Sequence, residues 1–176
     1  TLAAYVKRLA DQIDQHTEFS LVGLSFGGVI AIELAKFLSP RKVILISSLT
    51  SRKQLPLLLR MSGSFGMNRL MPARFLKRPN FLVNWFFGLK KQNDKQMIRE
   101  ILHDTSPQFL SWAIDRLLHW KNDFIPGNLV QIHGNKDRLI LMPDSNIKYV
   151  IENAGHLMVY THGDAVSKIL KHELEY

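Results

Sequence analysis

Apolar and polar positions recur along the chain with changing periods, and the changes mark its elements. Over residues 2–15, apolar Leu2, Val6, Leu9 and Ile13 return every three to four positions among polar ones, which predicts an amphipathic helix with one face on a core. Residues 19–23, Phe-Ser-Leu-Val-Gly, are too few for a helix, largely apolar and closed by glycine, so they read as a buried parallel strand. An almost wholly apolar stretch over 26–38 predicts a buried helix that stops at Ser39-Pro40, since the residue before a proline resists helical geometry. Gly27, Ala31 and Ala35 share one stripe of it and predict close approach to a sheet. Residues 42–47 form a second buried strand, completing a strand-helix-strand unit.

The alternation then lapses for roughly 75 residues, far beyond the usual length of a loop. Periodicity there predicts helices over 55–61, 69–76, 81–89, 95–103 and 107–120, an inserted helical cap. Strands over 129–133 and 147–151 and a last helix over 164–174 resume the α/β alternation. The expected organisation is a core of residues 1–50, a cap of 51–125 and a return to the core over 126–176.

Chemistry concentrates where the predicted strands end. Gly23-Leu24-Ser25-Phe26-Gly27 is a GxSxG lying between a strand and a helix. A serine on so sharp a turn is held in a strained conformation, and side chains two residues away are expected to collide unless they are glycine, as Gly23 and Gly27 are. The turn also puts the hydroxyl at a helix N-terminus, where free N–H groups and the dipole favour developing negative charge. Serine is a weak nucleophile at neutral pH, so it needs a base and a group to orient that base. Asp137 follows one predicted strand and His156 the next, and in an open parallel sheet the crevice forms at those C-terminal ends. Asp144 is the alternative acid, ten residues beyond its strand. His133 reads as a structural strand-end histidine, while His103, His119, His162 and His172 show no metal-ligand spacing with carboxylates, so no metal is implied. Trp85, Phe86 and Phe87 either line an acyl or alcohol pocket or pack against the core.

The segments GLSFGG, HGNKDRLI and NAGHLMV together resemble the α/β-hydrolase superfamily. The resemblance implies an α/β-hydrolase fold lacking its first strands, a parallel sheet with an inserted helical cap. It makes Ser25 the nucleophile, His156 the general base and then acid, Asp137 the orienting carboxylate, and the backbone N–H of Phe26 one oxyanion donor, with no cofactor. It further implies that four strands, and the loop carrying the second oxyanion donor, lie outside this sequence, which would leave residues 19–23 as an exposed apolar edge. The activity implied is hydrolysis of an ester or related acyl substrate through an acyl-enzyme. An acyltransferase or a non-catalytic ligand-binding relative would keep the same residues. Dehalogenases and epoxide hydrolases of the fold use an aspartate nucleophile and are set aside.

Composition narrows the remaining classes. Hydrophobic residues at 46% and charged residues at 22% describe a folded chain. The absence of cysteine excludes disulfides, thiolate metal sites and a cysteine nucleophile, and cytoplasmic is the default setting. No apolar run is long enough for a membrane-spanning helix, so no stable membrane insertion is expected. The formal charge of +8 lies wholly within residues 51–124, which hold 13 Lys and Arg against 5 Asp and Glu. No zinc-finger spacing, KH loop or RNP-like strand accompanies it, so the expected partner is a small-molecule acyl substrate rather than nucleic acid, with a basic cap favouring anions.

Overall fold

The computed structural model describes residues 1–64, 81–89, 91–143 and 147–175. Four parallel strands make one sheet in the order β1 (Leu21–Leu24), β2 (Val43–Ile46), β3 (Leu129–Gly134) and β4 (Tyr149–Ile151). Helix α1 (Leu2–Ala10) precedes β1, and α2 (Phe26–Ala35) joins β1 to β2. Between β2 and β3 come a 3-10 turn (Arg52–Gln54), α3 (Leu57–Ser64), α4 (Phe81–Phe87), α5 (Gln92–Asp104) and α6 (Pro107–His119). After β4 the chain ends in α7 (Met158–Thr161) and α8 (Gly163–Leu174).

Period-two alternation on β2 builds the two faces of the core. Val43 and Leu45 pack with Val29 and Ile32 of α2 and with Leu55, Leu118 and Trp120 from the β2–β3 segment. Ile44 and Ile46 turn the other way, onto Val130, Ile132, Met158 and Val166. All four β2 side chains are buried, as expected of a parallel strand covered on both faces, and each contributes about 1.5–3 kcal/mol through burial. Helix α1 lays Val6 and Ala10 against Ile30, Leu34 and Leu38. The sheet is open at β1, where Val22 and Leu24 are 45% and 44% exposed.

Several boundaries differ from the sequence expectation for physical reasons. The first helix stops at Ala10, beyond which the backbone N–H groups of Gln12 and Ile13 make only turn bonds to Leu9 and Ala10. β1 begins at Leu21 because pairing with β2 starts at Leu21 opposite Val43. β4 is three residues long, matching Ile132, His133 and Gly134 of β3. In the inserted segment, Ser51 and Gln54 form a capping box that makes a 3-10 turn, and the helix starts after Pro56. α7 has too few residues for periodicity to reveal. The helix expected over 69–76 lies outside the described residues.

Candidate functional site

Ser25 sits at the N-cap of α2 with φ 52° and ψ −119°, a conformation that costs a non-glycine residue of order 1–3 kcal/mol. Surrounding bonds hold it there. Its N–H donates to Ile46 O at 3.0 Å, and its carbonyl accepts from Gly28 N–H at 3.0 Å and from the Ser48 hydroxyl at 2.7 Å. A Cβ on Gly23 would stand 2.4 Å from Gly27 O, so the tight turn demands glycine there. Gly27 departs from the expectation, because a Cβ at that position meets nothing within 4 Å. The second obligatory glycine is Gly28, whose Cβ would lie 2.1 Å from Ser48 Oγ. It is Gly28 that brings α2 close to the sheet.

Asp137 and His156 arrive from the ends of β3 and β4. Gly134 lets the two loops meet, since a Cβ there would fall 2.3 Å from Ala154 O. Lys136 N–H then donates to Ala154 O at 2.9 Å, and Asn153 N–H to Asn135 Oδ1 at 2.8 Å. The Asp137 side chain is fully buried; its Oδ1 accepts from the N–H groups of Leu139 at 2.9 Å and Ile140 at 3.0 Å. Its Oδ2 stands 2.9 Å from His156 Nδ1, and His156 Nε2 stands 2.9 Å from Ser25 Oγ. A carboxylate only accepts, so Nδ1 carries the hydrogen and Nε2 is left to accept from the Ser25 hydroxyl. Phe26 is the first residue of α2, a position whose N–H has no acceptor within the helix.

The structure thus brings Ser25, His156 and Asp137 into one hydrogen-bonded chain, with the Phe26 backbone beside it. Asp144 lies outside the described residues. His133 is buried and donates through Nε2 to Ile140 O at 2.9 Å, with the same nitrogen 3.6 Å from Asp137 Oδ2. Burial holds its pKa below the ordinary histidine value, against the opposing pull of the Ile140 bond and the Asp137 charge. It buttresses the turn that carries Asp137, and only its four-residue spacing from Asp137 hints at this in the sequence.

Aromatic side chains border the chain of bonds. The Phe87 ring packs edge-on to His156 at 5.3 Å between centroids. Trp112 meets Phe26 edge-on at 5.7 Å and Tyr5 at 5.0 Å. Of the three aromatics singled out from sequence, Phe87 touches the site, while Trp85 is 45% exposed and meets Phe86 edge-on. Phe109 and Trp112 fall within the helix expected over 107–120, and their contacts to Phe26 are tertiary. Among the described residues no group of three or more His, Asp and Glu side chains is placed to hold a metal ion. None of the described helices is long and apolar enough to cross a membrane.

Comparison with known proteins agrees with this architecture. A family model described as "Alpha/beta hydrolase family" matches residues 1–169. A thermophilic esterase from Thermogutta terrifontis, solved with malate bound, superposes with a TM-score of 0.72 at 18% identity, covering 99% of this chain and 72% of that one. A hydrolase from Pseudomonas aeruginosa gives 0.71 at 16% identity over 100% and 72% of the two chains. A lipase-esterase related protein from Clostridium acetobutylicum gives 0.68 at 18% identity over 99% and 76%. At these identities the likeness is one of fold. Among curated proteins there is no significant sequence match.

Proposed function

As the chain belongs to the α/β-hydrolase family, we propose that it hydrolyses an ester or related acyl compound through an acyl-enzyme on Ser25. The observation that carries the reading is the continuous bond chain Ser25 Oγ, His156 Nε2, His156 Nδ1, Asp137 Oδ2, each step at 2.9 Å. Ser25 Oγ attacks the acyl carbon as His156 Nε2 takes its proton, and negative charge grows on the carbonyl oxygen. That oxygen faces the N-terminus of α2, where the Phe26 N–H is one donor to it. His156, now an imidazolium held by Asp137, returns the proton to the leaving alcohol and the acyl–oxygen bond breaks. Water repeats the sequence on the acyl-enzyme, giving its proton to His156 and releasing the acid and free Ser25.

In this reading the helices of residues 51–125 act as a cap over the crevice, with Phe87 against His156 and with Phe109 and Trp112 above Phe26. The substrate is a small acyl molecule whose apolar part meets those rings. The test is turnover of p-nitrophenyl acetate and butyrate by the intact protein. Ser25→Ala and His156→Ala are each expected to lower kcat by about 10⁴-fold or more, because the members of such a chain act as one unit. The reading fails if Ser25→Ala retains more than about a hundredth of the wild-type rate.

A further inference from the structure

Beside the bond chain, and separate from it, lies a cavity of about 530 Å³ between α4, α5 and the loops that follow β3 and β4. Its wall includes Lys95 from α5, Lys136 and Arg138 from the β3 loop, Asn84 and Trp85 from α4, and the Gly155 backbone. Neither Ser25 nor His156 lines it, and none of its described lining residues is acidic.

Four lysines elsewhere in the chain have carboxylate partners: Lys36 meets Glu33, Lys42 and Lys148 meet Glu173, and Lys171 meets Glu175. Among the described residues Lys95, Lys136 and Arg138 have none. Lys136 and Arg138 flank Asp137 in sequence, but that carboxylate points inward, buried on His156 and two backbone N–H groups, and neutralises neither of them. Three like charges therefore face one concavity and repel each other there. Arg138 is held in place, its guanidinium 5.0 Å from the centroid of the Trp85 ring.

We propose that this cavity binds a small molecule bearing at least two anionic groups, phosphate or carboxylate, clamped by Lys95, Lys136 and Arg138. The volume lies in the range that small-molecule sites occupy. The anion is either the far end of the substrate or a separate molecule seated behind the Asp137 and His156 loops, and kinetics distinguishes the two.

Binding is read without turnover, by titrating pyrophosphate and succinate into the isotope-labelled intact protein and following amide resonances. Shifts should gather at Lys95, Lys136, Arg138 and Gly155, and binding should weaken as salt rises, since screening shortens the reach of charge to about 8 Å at physiological ionic strength. Lys95→Glu/Arg138→Glu should weaken binding by about tenfold or more, while the equal charge change Lys7→Glu/Lys168→Glu, on α1 and α8, should not. Should the first pair fail to fold, Lys95→Gln alone should still weaken binding. Pyrophosphate competition against a p-nitrophenyl hemiglutarate but not a butyrate marks the anion as the substrate's end; an equal effect on both marks a separate effector. Absence of binding by either probe, or equal weakening by the two charge-reversal pairs, overturns the proposal.

Discussion

The two ends of the sheet each bury one carboxylate, Glu173 where β2 and β4 begin and Asp137 where β3 finishes, and they are partnered by different kinds of group. Glu173 is 2% exposed and meets Lys148 at 2.7 Å, the Tyr149 hydroxyl at 2.6 Å and Lys42 at 2.9 Å. Those bonds, the Lys148 bond foremost, then those of Tyr149 and Lys42, hold its pKa at about 2 and raise those of Lys148 and Tyr149. Asp137 has no Lys or Arg on its oxygens among the described residues; its partners are backbone N–H groups and the imidazole of His156, with His133 at 3.6 Å. A carboxylate matched to fixed cations locks α8 onto the sheet. In the proposed reading, one matched to an imidazole that also contacts a hydroxyl stabilises a charge that appears only when a proton moves.

The sharpest way to break this comparison is to neutralise each carboxylate in turn. Asp137→Asn is expected to lower kcat on a p-nitrophenyl ester by about 10³- to 10⁴-fold, by permitting the wrong imidazole tautomer. Glu173→Gln should leave the turnover of folded protein within about twofold, as it lies at the far end of the sheet. Comparable rate losses would erase the distinction between the two ends.

Smaller effects concern stability. Gly23→Ala forces a methyl against Gly27 O and should cost about 3 kcal/mol or prevent folding, whereas Gly27→Ala, with open space, should change stability by less than about 1 kcal/mol. Denaturant unfolding of both variants is the check. Glu173→Gln should cost about 2 kcal/mol at pH 7 through lost charged hydrogen bonds. Since its pKa is lower in the folded state, that stabilisation is complete above the unfolded value near 4.5 and fades as pH falls toward 2. Wild-type and variant unfolding midpoints should therefore converge in acid. The smallest effect is at His133, whose folded pKa is depressed by burial. The unfolded chain takes up the proton first as pH falls through about 6.5, so wild-type stability should decline there. His133→Gln should flatten that decline at a cost of about 1 kcal/mol at neutral pH.

What was legible in the sequence follows from how local each constraint is. The Ser25 elbow is set by backbone conformation and by Gly23 two residues away, so its signature is short and contiguous. The strands of the core announced themselves because both faces of β2 are covered. The Glu173 lock joins residues 131 apart in sequence, Lys42 to Glu173, and no local pattern foretells it. The requirement at Gly28 arises from Ser48 on another element, so the contiguous motif points to Gly27 instead. The cationic cavity combines α5 with the loop after β3, and within the sequence it showed only as a diffuse basic excess over residues 51–124, to which Lys136 and Arg138 do not belong.

Covalent trapping of the nucleophile bears most directly on the central claim that Ser25 is activated by His156. A fluorophosphonate incubated with the intact protein at neutral pH should add a single adduct, mapped to Ser25 by peptide mass spectrometry. The adduct should vanish in Ser25→Ala and form about 10³-fold more slowly in His156→Ala, which lacks the base. An adduct on another residue, labelling that persists in Ser25→Ala, or equal labelling rates with and without His156 would contradict the account.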